Sequence, residues 1–422
     1  MGRIQVSGGK PLVGETAIQG AKNAALPLMA AAVLHKGTTV LHNCPDIADV
    51  SCMRLLLEDL GCQTEFRNHT MYIDASVIRK TEPDAELTAQ MRGSVLLMGS
   101  LLGRMGEVIL PFPGGCVIGK RPVNYHLDVM RALGAEVICQ DNRMILRRKK
   151  LKGTQISMGF PSVGATENGI LAATLADGIT ELKSGAREPE IGELCRFLQE
   201  KGAQIHLAEE NIRITGVQCL RDSEYTLMPD RIVAGTYLLA AAATRGQICL
   251  HKVPLDHMDA LLDLMRQTGV RLSAKEEETG WALSIDCRQS RPQMLQVETA
   301  PYPGFPTDLQ SQLMAAVTAI PDMKCYIREN LFEDRFVIAK ELKKLGAEIE
   351  ICQNEAYIRG VRRLNAANLK SRELRGGAAL VLAALAAEGV SEIEPDDYIR
   401  RGYEHIDKDL RELGGEIRRF GG

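Results

Sequence analysis

Hydrophobic and polar positions repeat one phrase six times along the chain. An amphipathic helix ends in a glycine, and a short strand of alternating apolar and polar residues follows. The copies cover residues 57–65, 130–138, 198–205, 265–272, 342–351 and 410–417, turning at Gly61, Gly134, Gly202, Gly269, Gly346 and Gly414. Successive glycines stand 73, 68, 67, 77 and 68 residues apart. Glycine suits the position just past a helix, where the chain passes through a left-handed conformation before entering a strand.

A second phrase alternates with the first. It is an Ala- and Leu-rich helix closing into a β-branched strand, seen at residues 28–41, 170–182, 237–250 and 380–393. Residues 94–110 and 314–327 are looser copies. These helices carry few charges and are expected to be buried nearly all round, whereas the Lys- and Glu-bearing helices face water. No GxGxxG follows a strand, so a single dinucleotide-binding sheet is excluded. Units of about 70 residues also exceed the usual solenoid repeats of 20–50. The reading is α/β, with six repeated units arranged as two pseudo-threefold lobes. One lobe spans residues 21–229, and the other combines 1–20 with 230–422. A ligand would then bind between the lobes, as ligands commonly do at domain interfaces.

Composition narrows the classes of function. The chain has 422 residues, 45% hydrophobic and 25% charged, with a net charge of −3. That balance is ordinary for a globular protein and supplies no basic field for nucleic acid or an anionic membrane. Aromatics at 4% make base-stacking arrays for nucleic acid unexpected. Eleven cysteines without a CxxC pair suit neither a disulfide framework nor zinc. They point to a reducing, cytoplasmic compartment. The apolar runs at 24–34 and 378–387 are shorter than a membrane span, and the N-terminus reads as a strand.

Several stretches break the repeat with chemistry. Lys22 and Asn23 open an apolar helix, where the positive end of the helix dipole calls for an anion. Gly114, Gly115, Cys116, Gly119, Lys120 and Arg121 form a Gly-rich segment close to a phosphate-binding loop. Arg121 stands where that loop needs a hydroxyl for Mg²⁺, so nucleotide hydrolysis is excluded. Two adjacent cations should favour the Cys116 thiolate. Ser162, Val163 and Gly164 open another apolar helix, where capping and phosphate binding are both open readings. The charged pairs in residues 186–190 and 228–231 read as structural. Three prolines precede Asp308, a helix cap or a general base. Arg335, Arg375, Arg400 and Arg401 stand in segments suited to bidentate anion binding.

Six ordered motifs together, at residues 20–27, 113–122, 162–167, 186–190, 305–308 and 401–403, resemble the UDP-N-acetylglucosamine 1-carboxyvinyltransferases, a family of enolpyruvyl transferases. The resemblance covers essentially the whole chain. It implies an inside-out α/β barrel of two domains, each built from three repeats. It implies transfer of the enolpyruvyl group of phosphoenolpyruvate to the 3′-hydroxyl of UDP-N-acetylglucosamine, with phosphate released. That is the first committed step of peptidoglycan synthesis. It needs no metal and no cofactor, and it involves neither nucleic acid nor membrane. A monomer or weak homo-oligomer is expected.

By the same resemblance, Lys22, Arg121 and Arg401 hold phosphoenolpyruvate, Cys116 is the general acid, and Asp308 orients or deprotonates the sugar hydroxyl. Asn23, Arg92, Arg121, Pro122, Val123, Asn124, Tyr125, Ser162, Val163, Gly164 and Leu331 contact the UDP-sugar. Glu373 and Arg375 complete the anion site. Six positions depart from the family pattern. Phe160 replaces a Lys near the diphosphate, Asn124 an Asp beside the uracil, and Val233 a Glu. Ile338 replaces a His, Glu373 an Asp, and Arg400 an Asp. The departures leave open a divergent paralogue with another nucleotide-sugar acceptor, or a non-catalytic UDP-sugar-binding regulator.

Overall fold

The computed structural model describes residues 2–112, 119, 123–209 and 211–421. The chain divides into two compact units, one containing residues 20–112 and 123–228, the other residues 2–19 and 229–421. Each unit has its own hydrophobic core.

In the unit of residues 20–228, the apolar helices Lys22–Ala32, Leu97–Met105 and Val163–Ala173 are the buried ones. From Ala24 to Ala32 every residue of the first is buried, because small side chains let neighbouring helices approach from all sides. Leu97–Met105 packs against Val163–Ala173. In the other unit, Arg231–Thr244, Gln310–Thr318 and Leu374–Ala386 pack mutually around the core. All fourteen residues of Arg231–Thr244 are buried.

Sheets complete the repeats. The described residues form five four-stranded sheets and one three-stranded sheet. Each four-stranded sheet joins three antiparallel strands to one parallel edge strand from elsewhere in the chain. Ser223–Thr226 lies parallel to Thr38–His42, and Val13–Ala17 parallel to Gln247–Val253. The N-terminal strand Arg3–Gly8 sits between Gly389–Glu394 and Glu416–Phe420, with Ile4 opposite Ile393 and Val6 opposite Ile417. This register puts Ile4 and Val6 in the core, so the last repeat is completed by the chain's first strand.

All six repeat glycines adopt positive φ, from +76° at Gly269 to +110° at Gly61. The residue before that glycine is a fully buried leucine at 60, 133, 345 and 413. Lys201 occupies the same slot and is equally buried, contrary to the expectation that the charged helices face water. Its ammonium donates to the Thr39 and Ser223 hydroxyls at 2.8 and 3.0 Å and lies 5.4 Å from the Phe197 ring centre. The fifth such helix is broken into short turns, Arg335–Ile338, Ala339–Leu342 and Lys343–Leu345. Among the described residues no helix is long and apolar enough to cross a membrane.

Candidate active site

In the unit of residues 20–228, Lys22 is the first residue of its helix, which has no acidic residue in its first turn and no side-chain cap. The anion that this position calls for is supplied by the protein itself. Asp49, in the first turn of Ala48–Leu60, brings Oδ2 to 2.8 Å from Lys22 Nζ, and both side chains are nearly buried. Asn23 and Arg92 are half-buried, the latter opening the turn Arg92–Leu96. Pro27 has no N–H to give the Asn23 carbonyl four residues earlier.

Two further helices begin close together. Asn124–Ala132 follows the buried Val123, and Val163–Ala173 is capped by Ser162, whose hydroxyl accepts from Ala165 N at 3.5 Å. Neither has an acidic residue in its first turn. Gly164 allows the approach, since a Cβ there would lie 2.9 Å from His126 Cε1. His126 Nδ1 is 2.9 Å from Asn168 Nδ2, and Asn168 also bonds Val95 O and Gly99 N. Asn124 is exposed, and the half-buried Tyr125 ring stacks on Phe160. Deeper in, burial and the charges of Glu190 and Glu188 raise the Glu167 carboxyl well above the usual range.

In the other unit, Asp308 lies in the turn Thr307–Leu309, directly before Gln310–Thr318. Its carboxylate serves neither helix as a cap. Oδ1 accepts from Arg335 Nη2 at 2.6 Å and Oδ2 from Arg375 Nη2 at 2.8 Å. Arg335 also donates to Thr307 O, and both guanidiniums are buried. Burial works against the Arg375 charge, but Asp308, Tyr403 and Asp230 outweigh it and hold the group protonated. Glu373 caps Leu374–Ala386, accepting from Arg375 N at 2.7 Å and from Gly376 N, with Arg335 Nη1 3.9 Å away. Tyr403 lies beneath the Arg375 guanidinium, its hydroxyl bonded to Thr236 and Gln312. Arg401 ends the turn Ile399–Arg401 and is half-buried. Arg400 Nε stands 3.4 Å from Asp396.

The half-buried Leu331 is fixed through Glu329. That buried carboxylate accepts from Leu331 N and Phe332 N and from the Thr299 and Thr307 hydroxyls, at 2.8–3.2 Å. It ties the segment carrying Leu331 to the turn carrying Asp308. Asp230 caps Arg231–Thr244 through Ile232 N and Val233 N.

The family model for EPSP synthase (3-phosphoshikimate 1-carboxyvinyltransferase) matches residues 6–410. This chain belongs to the EPSP synthase family. It is 42% identical over 421 residues, the whole of both chains, to UDP-N-acetylglucosamine 1-carboxyvinyltransferase 2 of Caldanaerobacter subterraneus subsp. tengcongensis. It is 41% identical to UDP-N-acetylglucosamine 1-carboxyvinyltransferase of Desulfatibacillum aliphaticivorans, across 99% of this chain and all of that one. Among solved structures, the enolpyruvyl transferase NikO from Streptomyces tendae aligns with a TM-score of 0.88 at 24% identity, covering 99% of this chain and 98% of that one. EPSP synthase from Acinetobacter baumannii aligns over both chains in full with a TM-score of 0.75 at 17% identity. These structures establish that the chain has the enolpyruvyl transferase fold.

Within this family fold, Asp308, Glu373 and Arg375 form one connected cluster. Lys22 belongs to another, while Val123, Asn124, Tyr125, Ser162, Val163 and Gly164 gather where two helices begin. Cys116, Lys120, Arg121 and Pro122 lie outside the described residues. The sequence by itself assigns no organising role to Asp49, Glu329 or Tyr403. Asp49 has a visible signal only in retrospect, an acidic residue in a helix first turn, which usually serves its own helix dipole. Burial pushes the thiols of Cys195, Cys287 and Cys325 up to about 12 and that of Cys62 to about 11, leaving them unreactive.

Proposed function

We propose that this chain transfers the enolpyruvyl group of phosphoenolpyruvate to the 3′-hydroxyl of UDP-N-acetylglucosamine, releasing phosphate and committing the sugar to peptidoglycan synthesis. The observation that carries the reading is Asp308, whose two carboxylate oxygens are each held by a different buried guanidinium. That clamp fixes the orientation of a carboxylate positioned to accept the sugar hydroxyl proton. Full-length relatives of this acceptor class support the choice of substrate.

Protonation of C3 of phosphoenolpyruvate by Cys116 leaves an oxocarbenium centre at C2. The sugar O3 attacks it as Asp308 takes the proton, giving a tetrahedral phosphoketal. The Cys116 thiolate takes a proton back from C3 as phosphate leaves with the proton held by Asp308, and the double bond is restored. Lys22, Arg121, Arg375 and Arg401 hold the phosphate and carboxylate and balance the charge that builds on them. Asn23, Arg92, Pro122, Val123, Asn124, Tyr125, Ser162, Val163, Gly164 and Leu331 seat the UDP-sugar. The enzyme works in the cytoplasm as a monomer or weak homo-oligomer, its cations being side chains.

Coupled phosphate release with and without UDP-N-acetylglucosamine tests the reaction. Turnover dependent on the sugar, lost in Cys116→Ser, is expected. Alkylation by a fosfomycin-type epoxide should map to Cys116 by mass spectrometry, and modification of another cysteine would reject its role. Nucleotide-sugar binding without turnover would instead favour a regulatory paralogue, a reading to which the six departures lend weight.

A further inference from the structure

Eight phenylalanines occur in the chain. Phe160 and Phe420 are the phenylalanines found among its exposed large hydrophobics in the described residues. Phe420 lies under the Arg3 guanidinium at the end of a strand. Phe160 faces another ring: its centroid is 6.1 Å from that of Tyr125, with 28° between the planes. Offset stacks occupy this range. The other ring pairs differ in kind. Phe197 meets Tyr225 edge-on in the core, and Tyr326 and Tyr357 are tilted on a sheet.

The two rings have different supports. Tyr125 packs against the hydrophobic core of its unit, so it forms a fixed wall. Phe160 lies outside that core and stacks on Tyr125, with 37% of its surface in water. Its backbone is nevertheless held. The Phe160 carbonyl accepts from Ser162 N at 2.8 Å, Pro161 follows, and Met158 N bonds Lys183 O at 3.0 Å. An aromatic ring on a pinned turn, braced by a second ring and partly open to water, is an apolar surface that a flat ligand can extend.

The occupant follows from the reaction assigned above, on which this inference rests. A UDP-sugar brings one flat ring, uracil. We infer that Phe160, braced by Tyr125, is a specificity-determining residue that receives the uracil face of the UDP-sugar, so that stacking replaces a charge contact as the source of nucleotide affinity. Base–aromatic stacking is strong enough for this and depends little on salt, whereas a lysine on a diphosphate weakens as salt rises.

Calorimetric titration of the full chain tests it, using UDP-N-acetylglucosamine and its 5,6-dihydrouridine analogue, whose base is not aromatic. Wild type should prefer the uracil form. Phe160→Ala and Phe160→Leu should each weaken UDP-N-acetylglucosamine by about 5- to 100-fold and abolish the preference, with the KM for phosphoenolpyruvate unchanged. Phe160→Tyr should keep both affinity and preference. Phe160→Lys should also weaken binding, despite the added cation, and make it more salt-dependent. Wild-type affinity in Phe160→Ala, or tighter binding in Phe160→Lys, would overturn the inference while leaving the reaction standing. Failure of the wild type to bind UDP-N-acetylglucosamine at all would overturn the reaction itself. Phe160 is exposed, and an unchanged melting temperature confirms that each variant is folded.

Discussion

Lys22 and Asp49 neutralise each other across 2.8 Å, with both side chains almost out of reach of water. A lysine at the positive end of a helix dipole is tolerable because a neighbouring helix delivers a carboxylate to it. Removing one partner of a buried ion pair typically costs about 3–5 kcal/mol. Asp49→Ala should therefore lower the melting temperature markedly. Phosphoenolpyruvate should restore more stability to this variant than to the wild type, because its phosphate replaces the missing anion. Scanning calorimetry with and without phosphoenolpyruvate measures both effects, and an unshifted melting point would show that the pair is dispensable.

Arg335 binds Asp308 Oδ1 and the Thr307 carbonyl with one planar group. Lysine offers a point charge and cannot keep both contacts in that geometry. Arg335→Lys should lower kcat by about 10- to 100-fold, the scale of a misplacement of one ångström. Its KM for UDP-N-acetylglucosamine should stay near the wild-type value. Steady-state kinetics separates the two parameters, and a loss confined to KM would count against a role in positioning Asp308.

Gly164 sits where a Cβ would lie 2.9 Å from the His126 ring. Gly164→Ala should push apart the starts of Asn124–Ala132 and Val163–Ala173. Overpacking of this kind typically costs about 1–3 kcal/mol. Affinity for the UDP-sugar should fall with it, while epoxide alkylation of Cys116 proceeds at the wild-type rate. Titration and mass spectrometry check the two halves separately.

Lys201 carries the pH dependence. Burial lowers its pKa from 10.5 to about 8, against a small opposing pull from Asp222. Below about pH 8 the ammonium is charged in both folded and unfolded chains, and the full cost of burying it is present. Between about 8 and 10.5 the folded protein binds fewer protons than the unfolded chain, so this residue's contribution to stability rises with pH. Lys201→Met, matching the leucines of four other repeats, removes that titration. The melting temperature of Lys201→Met relative to wild type should be most favourable near pH 7 and decline steadily towards pH 10. A difference that stays flat with pH would refute the assignment.

Much of the architecture is readable in the linear pattern. The six glycine turns, the apolar helices and the strands that follow them are short-range features, set by a few adjacent side chains and one backbone conformation. Candidates for the site were legible where a residue is out of character with its surroundings, as Lys22 is in an apolar helix and Asp308 after three prolines. Their partners were not. Asp49 looks like an ordinary helix-start acid, Arg335 like one of several arginines suited to an anion, and Tyr403 has no role of its own within its motif, until the fold brings them to Lys22, Asp308 and Arg375.

What the amino-acid order determined alone was the repeat, its division into two triads, and the kinds of side chain that interrupt it. Tertiary structure decided which charges meet: Asp308 with two guanidiniums from segments 27 and 67 residues further on, Lys22 with Asp49, and a lysine in a leucine's slot. Periodicity is written over a few residues because helices and strands repeat over a few residues. Ion pairing depends on distance in space and on exclusion of water, and neither exists until the chain has folded.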